Sequence, residues 1–212
     1  MVIVYYVGTM YAGKSAASLK RLIEGSGYDQ KLIVSGSLES RGFLSRVKDV
    51  SSEALNSAVV VSNIKEIHDY DLTKRTLVFV DEVQFLDTVY FWELLDTANS
   101  SGSSVDLIMA GMKNCQYATP FEMFERITAR IDPSVITELH SPCATCGGEK
   151  GTTAIRKQFG ESRITDCYAV LCNECAVRFI NYNNQFDQVP ISKLDPINLI
   201  PNESYLNRAY RL

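Results

Sequence analysis

Short apolar runs and amphipathic stretches alternate along this chain. Val2 to Val7 is apolar and β-favouring, and reads as a buried strand. Leu19, Leu22 and Ile23 then recur at helical spacing, after the helix formers Ala16 and Ala17. Gly25 to Tyr28 marks a turn, Lys31 to Ser35 a second strand, and Gly36 to Ser57 a polar, irregular loop carrying Arg41, Arg46 and Lys48. A loop of that length on an α/β core is commonly functional. Val59 to Val61 predicts a third strand, and Ile64, Ile67 and His68 a brief helix with His68 at the surface. Thr76 to Val80 is the clearest buried strand, and it runs into Asp81-Glu82-Val83-Gln84-Phe85. Helical periodicity resumes through Tyr90, Phe91, Leu94, Leu95 and Ala98 and stops at Gly102. Val105 to Ala110 predicts a strand, Phe121 to Ile131 a helix opened by Pro120, and Val135 to Leu139 a last strand.

Strands alternating with helices predict an α/β fold, a mostly parallel sheet with helices on both faces. Near His140 the composition shifts: five of the six cysteines lie between Ser141 and Phe179. Three segments follow: an α/β domain over 1–140, a small cysteine-rich domain over 141–180, and a Pro- and Asn-rich tail over 181–212, expected to be irregular.

The first strand runs directly into Gly8-Thr9-Met10-Tyr11-Ala12-Gly13-Lys14-Ser15, the pattern G-x-x-x-x-G-K-S. Strand, glycine loop and helix together are the setting of a phosphate-binding loop. Its backbone N–H groups and the positive helix end cradle phosphates, Lys14 reaches the terminal ones, and Ser15 holds Mg²⁺. An acidic strand end is the usual partner of such a loop, so Asp81 is expected opposite Ser15 as a second Mg²⁺ ligand. Glu82 beside it is placed to take a proton from an attacking hydroxyl. Water as the acceptor gives an ATPase and a bound small molecule gives a kinase; the motif leaves both open. The plainer alternative has Asp81 and Glu82 only capping the next helix.

Cys143-x-x-Cys146 and Cys172-x-x-Cys175 are two C-x₂-C pairs separated by 25 residues. Two such turns supply four thiolates for a closed, structural Zn²⁺ site in a zinc-ribbon-like unit. Gly147-Gly148 suits a knuckle turn, and the long separation requires a loop between the pairs. His140 or Cys167 replacing one ligand is the alternative, and Cys115 reads as a buried or loop thiol.

Net charge is −4 over 212 residues, with 46% hydrophobic and 22% charged. That argues against a large electrostatic footprint for nucleic acid, while a local phosphate loop still binds a small anion. No apolar run approaches the roughly 20 residues of a membrane span. With no basic leader before the first strand, the reading is a soluble intracellular protein.

The order of these parts resembles the zinc-containing, type II thymidine kinase family, over about residues 1–180. Gly8 to Ser15 carries Met10 and the aromatic Tyr11 as the family's loop does. Ser40-Arg41 and Ser45-Arg46 fall in its arginine-bearing segment, and Asp81 to Leu86 matches its acidic box. Met109 to Met112, then Pro120-Phe121, resembles its A-G-L stretch and later P-F. Thr152, Thr153 and Arg156 follow the first cysteine pair, and Tyr168 precedes Cys172, at the matching places. The resemblance implies transfer of the ATP γ-phosphate to the 5′-hydroxyl of thymidine in nucleotide salvage. Glu82 would be the base; Gly8 to Ser15 and Arg41 would bind phosphates, with Mg²⁺ on Ser15 and Asp81. Met10, Phe85, Gln116, Phe121 and Tyr168 would face the nucleoside, and residues from Arg156 to Tyr168 would form a lasso over the base. It further implies a homotetramer, feedback by dTTP, and a cytoplasmic location, in the host's cytoplasm for a phage gene. Nucleic acid and membranes are not expected partners.

The chain departs from the family at Lys113 and Gln116, where an acidic residue and then a phenylalanine are usual. The lasso lacks its glycine pair, and the tail has no placed counterpart. The alternatives are a kinase for another deoxynucleoside, a phosphate-loop ATPase acting on nucleic acid, and a zinc ribbon beside an inactive nucleotide fold.

Overall fold

The computed structural model describes residues 2–34, 57–86, 88–114, 119–148, 150–156 and 168–184. The polar loop before the third strand, with Arg41, Arg46 and Lys48, lies outside them. So do Cys115, Gln116, Cys167, nearly all of the lasso, and the tail beyond Asn184. Two compact units emerge. One comprises Met1–Val7, Gly13–Met112 and Glu122–Glu138; the other comprises Gly8–Ala12, Lys113–Phe121 and the residues from Leu139 on.

The first unit holds the sheet. Strands β1 (Ile3–Gly8), β2 (Gln30–Val34), β3 (Val59–Val61), β4 (Thr76–Val80), β5 (Val105–Met112) and β6 (Ile136–Leu139) stand in the order β3-β2-β4-β5-β1-β6. The pairs β2·β3, β2·β4 and β4·β5 are parallel. Alternation along the strands sorts the core into two faces, as a period of two requires. Ile33, Leu77, Phe79, Ile108 and Ala110 pack with Leu19 and Leu22 of helix α1 (Lys14–Glu24). Leu32, Val34, Val78, Val80, Leu107 and Met109 join Phe91, Leu94, Leu95 and Ala98 of α2 (Val89–Asn99), and Met123 and Ile127 of α3 (Glu122–Thr128). The expected two-sided α/β sheet is therefore present. At the amino ends of its strands, Asp106 is buried and accepts from the Tyr28 hydroxyl at 2.6 Å and from Arg75 at 3.2 Å.

Some elements differ from the sequence reading. Helix α3 stops at Thr128, three residues short of the expected Ile131. A 3₁₀ turn over Pro133–Val135 follows, with Asp132 accepting from the Ser134 N–H. Pro133 disfavours helix at Asp132, so the helix does not run on into this turn. Val135 belongs to that turn, so the last strand begins at Ile136.

In the second unit, β7 (Thr153–Arg156) pairs antiparallel with β8 (Tyr168–Leu171). Helix α4 (Asn173–Asn184) begins at the second cysteine pair and continues four residues into the segment expected to be irregular. Its start inside Cys172-Asn173-Glu174-Cys175 turns a tight knuckle into a first helical turn, closed by Ala176 N–H to the Cys172 carbonyl at 2.8 Å. No helix among the described residues is long and apolar enough to cross a membrane.

Candidate active site and cysteine cluster

Strand β5 stands between β1 and β4, so the ends of three neighbouring strands carry the glycine loop, Gly111 and Asp81. Ligands of open α/β sheets collect at such carboxyl ends. In the first unit α1 starts at Lys14, with Gly13 in the left-handed region at its cap and no side-chain cap bond. Its first turn holds no acidic residue. Uncapped N–H groups at a helix start, with the positive end of the dipole, suit an anion.

The Ser15 hydroxyl reaches both oxygens of Asp81, at 3.2 and 3.0 Å. This brings the two expected Mg²⁺ ligands together. Asp81 is buried, 2% exposed, and its carboxyl is pushed up to about 6. Burial is the main cause and the neighbouring Glu82 charge the next; the Ser15 hydrogen bond, Lys14 and the Glu82 N–H act against them. A buried anion penalised in this way suits a divalent cation, and Ser15 and Asp81 are the oxygen donors that would hold Mg²⁺.

Glu82 is half-buried and has a left-handed backbone, φ 53°. Such a φ is uncommon outside glycine and marks a conformation that its surroundings enforce. It opens the 3₁₀ turn Val83–Phe85. Its carboxylate accepts from Gln84 Nε2 at 2.5 Å, and its N–H donates to Asp81 at 3.0 Å. Asp81 and Glu82 do not cap a following helix: helix α2 starts only at Val89, and the Thr88 side chain caps it. Phe85 lies on the same turn and is exposed at 45%.

The second unit contains the crown of the glycine loop, Gly8 to Ala12. Tyr11 there shares the left-handed conformation at φ 62°, and Met10 is half-buried. The crown is held by the chain that leaves β6. Thr9 Oγ1 and Ser141 Oγ are 2.9 Å apart, and Ser141 Oγ also donates to the Met10 carbonyl at 3.4 Å. A Cβ at Gly8 would lie 2.1 Å from the Leu139 carbonyl oxygen, so this approach requires glycine. Ser141 was not among the expected site residues; a serine just after a strand carries no motif that would have singled it out. Phe121 and Tyr168 of this unit are half-buried, while Arg41 and Gln116 lie outside the described residues.

Cys143, Cys146, Cys172 and Cys175 come together with all four sulfurs within 4.8 Å of one another. None forms a disulfide. Four sulfurs at about 2.3 Å from a tetrahedral Zn²⁺ would stand roughly 3.8 Å apart, and Cys146 and Cys172 are separated by 3.9 Å. Cys143 N–H donates to the Gly148 carbonyl at 2.7 Å and Gly147 N–H to the Cys143 carbonyl at 2.9 Å, which builds the expected knuckle. Burial and the neighbouring thiols push the Cys175 thiol up. Bringing four thiolates this close needs a cation, and the donor set fits Zn²⁺. The His140 and Cys167 alternatives are not needed for a four-sulfur site.

A comparison with protein families agrees with this geometry. The family model described as Thymidine kinase matches residues 1–176.

Two outcomes are expected from this geometry. The Asp81 carboxyl sits above its unfolded value, so the fold loses stability as pH rises from about 4 through about 6. Asp81→Asn should therefore stabilise the metal- and nucleotide-free protein at pH 7.5 by about 1–3 kcal/mol and abolish turnover. Melting temperatures across pH should show the gain shrinking toward pH 4; a uniform gain would remove the carboxyl as its cause. Cys146→Ser should lower bound zinc below one atom per chain and reduce the melting temperature, read by elemental analysis and calorimetry.

Proposed function

The chain belongs to the thymidine kinase family, phosphotransferases that phosphorylate thymidine with ATP, and we propose how its own residues divide that work. The observation that carries the reading is the constellation of Ser15, Asp81 and Glu82 beside the start of α1. In this reading the loop Gly8 to Ser15 cradles the phosphates of ATP, Lys14 draws charge from the terminal ones, and Arg41 steadies them. Mg²⁺, when bound on Ser15 and Asp81, offsets the phosphate charge. Glu82 takes the proton of the 5′-hydroxyl as that oxygen attacks the γ-phosphorus in line, and ADP leaves with the bridging oxygen.

Met10, Phe85, Gln116, Phe121 and Tyr168 line the nucleoside side in this proposal. Phe85 supports it by its exposure: a large apolar ring at the surface, on the turn that follows Glu82, suits a ligand's flat face. The lasso from Arg156 to Tyr168 closes over the base, and excluding water favours the sugar hydroxyl over hydrolysis. Zinc on the four cysteines is structural and ties the two ends of the lasso together through β7 and β8. Residues 1–140 thus carry nucleotide chemistry, 141–180 the metal and lasso, and 181–212 the tail. A homotetramer, feedback by dTTP and a cytoplasmic location complete the proposal on the strength of the family.

The test is phosphorylation by Mg²⁺·ATP of thymidine, deoxyuridine, deoxycytidine and deoxyguanosine offered separately. Thymidine and deoxyuridine should be the good substrates, and preference for another base would point to Lys113 and Gln116. Glu82→Gln should lower turnover by roughly 10²–10⁴-fold with ATP affinity unchanged. Near-wild-type turnover of that variant would exclude Glu82 as the base.

A further inference from the structure

We propose that Gln84 is a positioning residue that aims the Glu82 carboxylate at the nucleoside hydroxyl. The inference rests on the reading of Glu82 as the base. Gln84 is buried at 8% exposure. Its Oε1 accepts the Met112 N–H at 3.0 Å, at the end of β5. Its Nε2 donates to Glu82 Oε2 at 2.5 Å. The two bonds fix which way the amide points. A flipped amide would set NH₂ against the Met112 N–H and a carbonyl against the carboxylate, and both contacts would repel. The main chain of β5 thus dictates the donor that faces Glu82.

Glu82 needs such a guide. Its backbone is held in the left-handed region, which fixes where the side chain leaves the chain but not where its carboxylate points. A half-buried glutamate has several rotamers, and fixing one oxygen on Gln84 leaves Oε1 to receive the proton in one direction. Gly111 supports the arrangement from behind. A Cβ there would lie 2.6 Å from Val83 Cγ2, 3.0 Å from Gln84 Oε1 and 3.2 Å from the Tyr5 hydroxyl. The side chain missing at Gly111 is the space in which the Gln84 amide reaches β5.

Gln84→Met fills the same volume and can neither donate nor accept. Gln84→Glu keeps an acceptor for Met112 and loses the donor to Glu82. Both should lower kcat by roughly 10–100-fold, the cost of a small misplacement of a reacting group, with KM for ATP and thymidine within about twofold. Should Gln84→Met fail to fold, Gln84→Glu carries the test. A merely structural glutamine would cost melting temperature and leave the kcat of the folded protein unchanged. The deciding measurement adds each change to Glu82→Gln. If Gln84 acts through Glu82, its effect disappears in that background. An equal loss in both backgrounds, or wild-type kcat in both single variants, overturns the proposal. Slow Glu82→Gln with fast Gln84 variants removes only the positioning role, whereas fast Glu82→Gln removes the base assignment itself.

Discussion

Two adjacent carboxylates, Asp81 and Glu82, are kept at the end of a buried strand, and the chemistry proposed for this protein depends on that placement. Strand β4 is buried along its whole length, and Asp81 continues it into the interior. Burying an anion is costly unless it is paired and hydrogen-bonded. The Ser15 hydroxyl, the Glu82 N–H and the Lys14 charge offset part of that cost and leave the rest. The residual penalty biases the site toward cations and protons. A carboxylate that its fold already disfavours, as Asp81 is, gains more from a divalent ion than it would in water. Stability and chemistry are opposed at this strand end, as they commonly are where a function needs an ill-favoured charge.

The sheet is what makes the penalty tolerable. Apolar side chains cover both of its faces, α1 on one and α2 with α3 on the other. With β5 between β1 and β4, one strand separates the strand that leads into the glycine loop from the strand that ends in the acidic pair. Gly111 on β5 lets Gln84 reach across, so the intervening strand also supports the acidic pair.

Much of this was legible in the sequence because it rests on local rules. Continuous apolar runs placed β1, β4 and β5, and helical spacing placed α1 and α2. The glycine loop and the paired cysteines carry their chemistry in their spacing. What was not legible depends on contacts between residues far apart in the chain. The left-handed backbones of Tyr11 and Glu82 have no residue signature, because the surroundings impose them. Helix α4 was hidden because its start doubles as a metal knuckle and its later turns are rich in Asn, a weak helix former. Ser141 and Gln84 show the same limit: a hydroxyl and an amide acquire their partners only when distant strands meet. Arg41 and Gln116 fall outside the described residues, so their roles rest on the resemblance alone.

Gly8 is usually read as the opening letter of a nucleotide signature. Here its missing side chain also admits the carbonyl of Leu139, from a strand near the other end of the sheet domain's sequence. Drift at this position is therefore opposed by a neighbouring backbone, whatever the loop binds. A descendant that abandoned nucleotides altogether would still inherit the glycine. The first letter of the motif can outlive the activity it advertises.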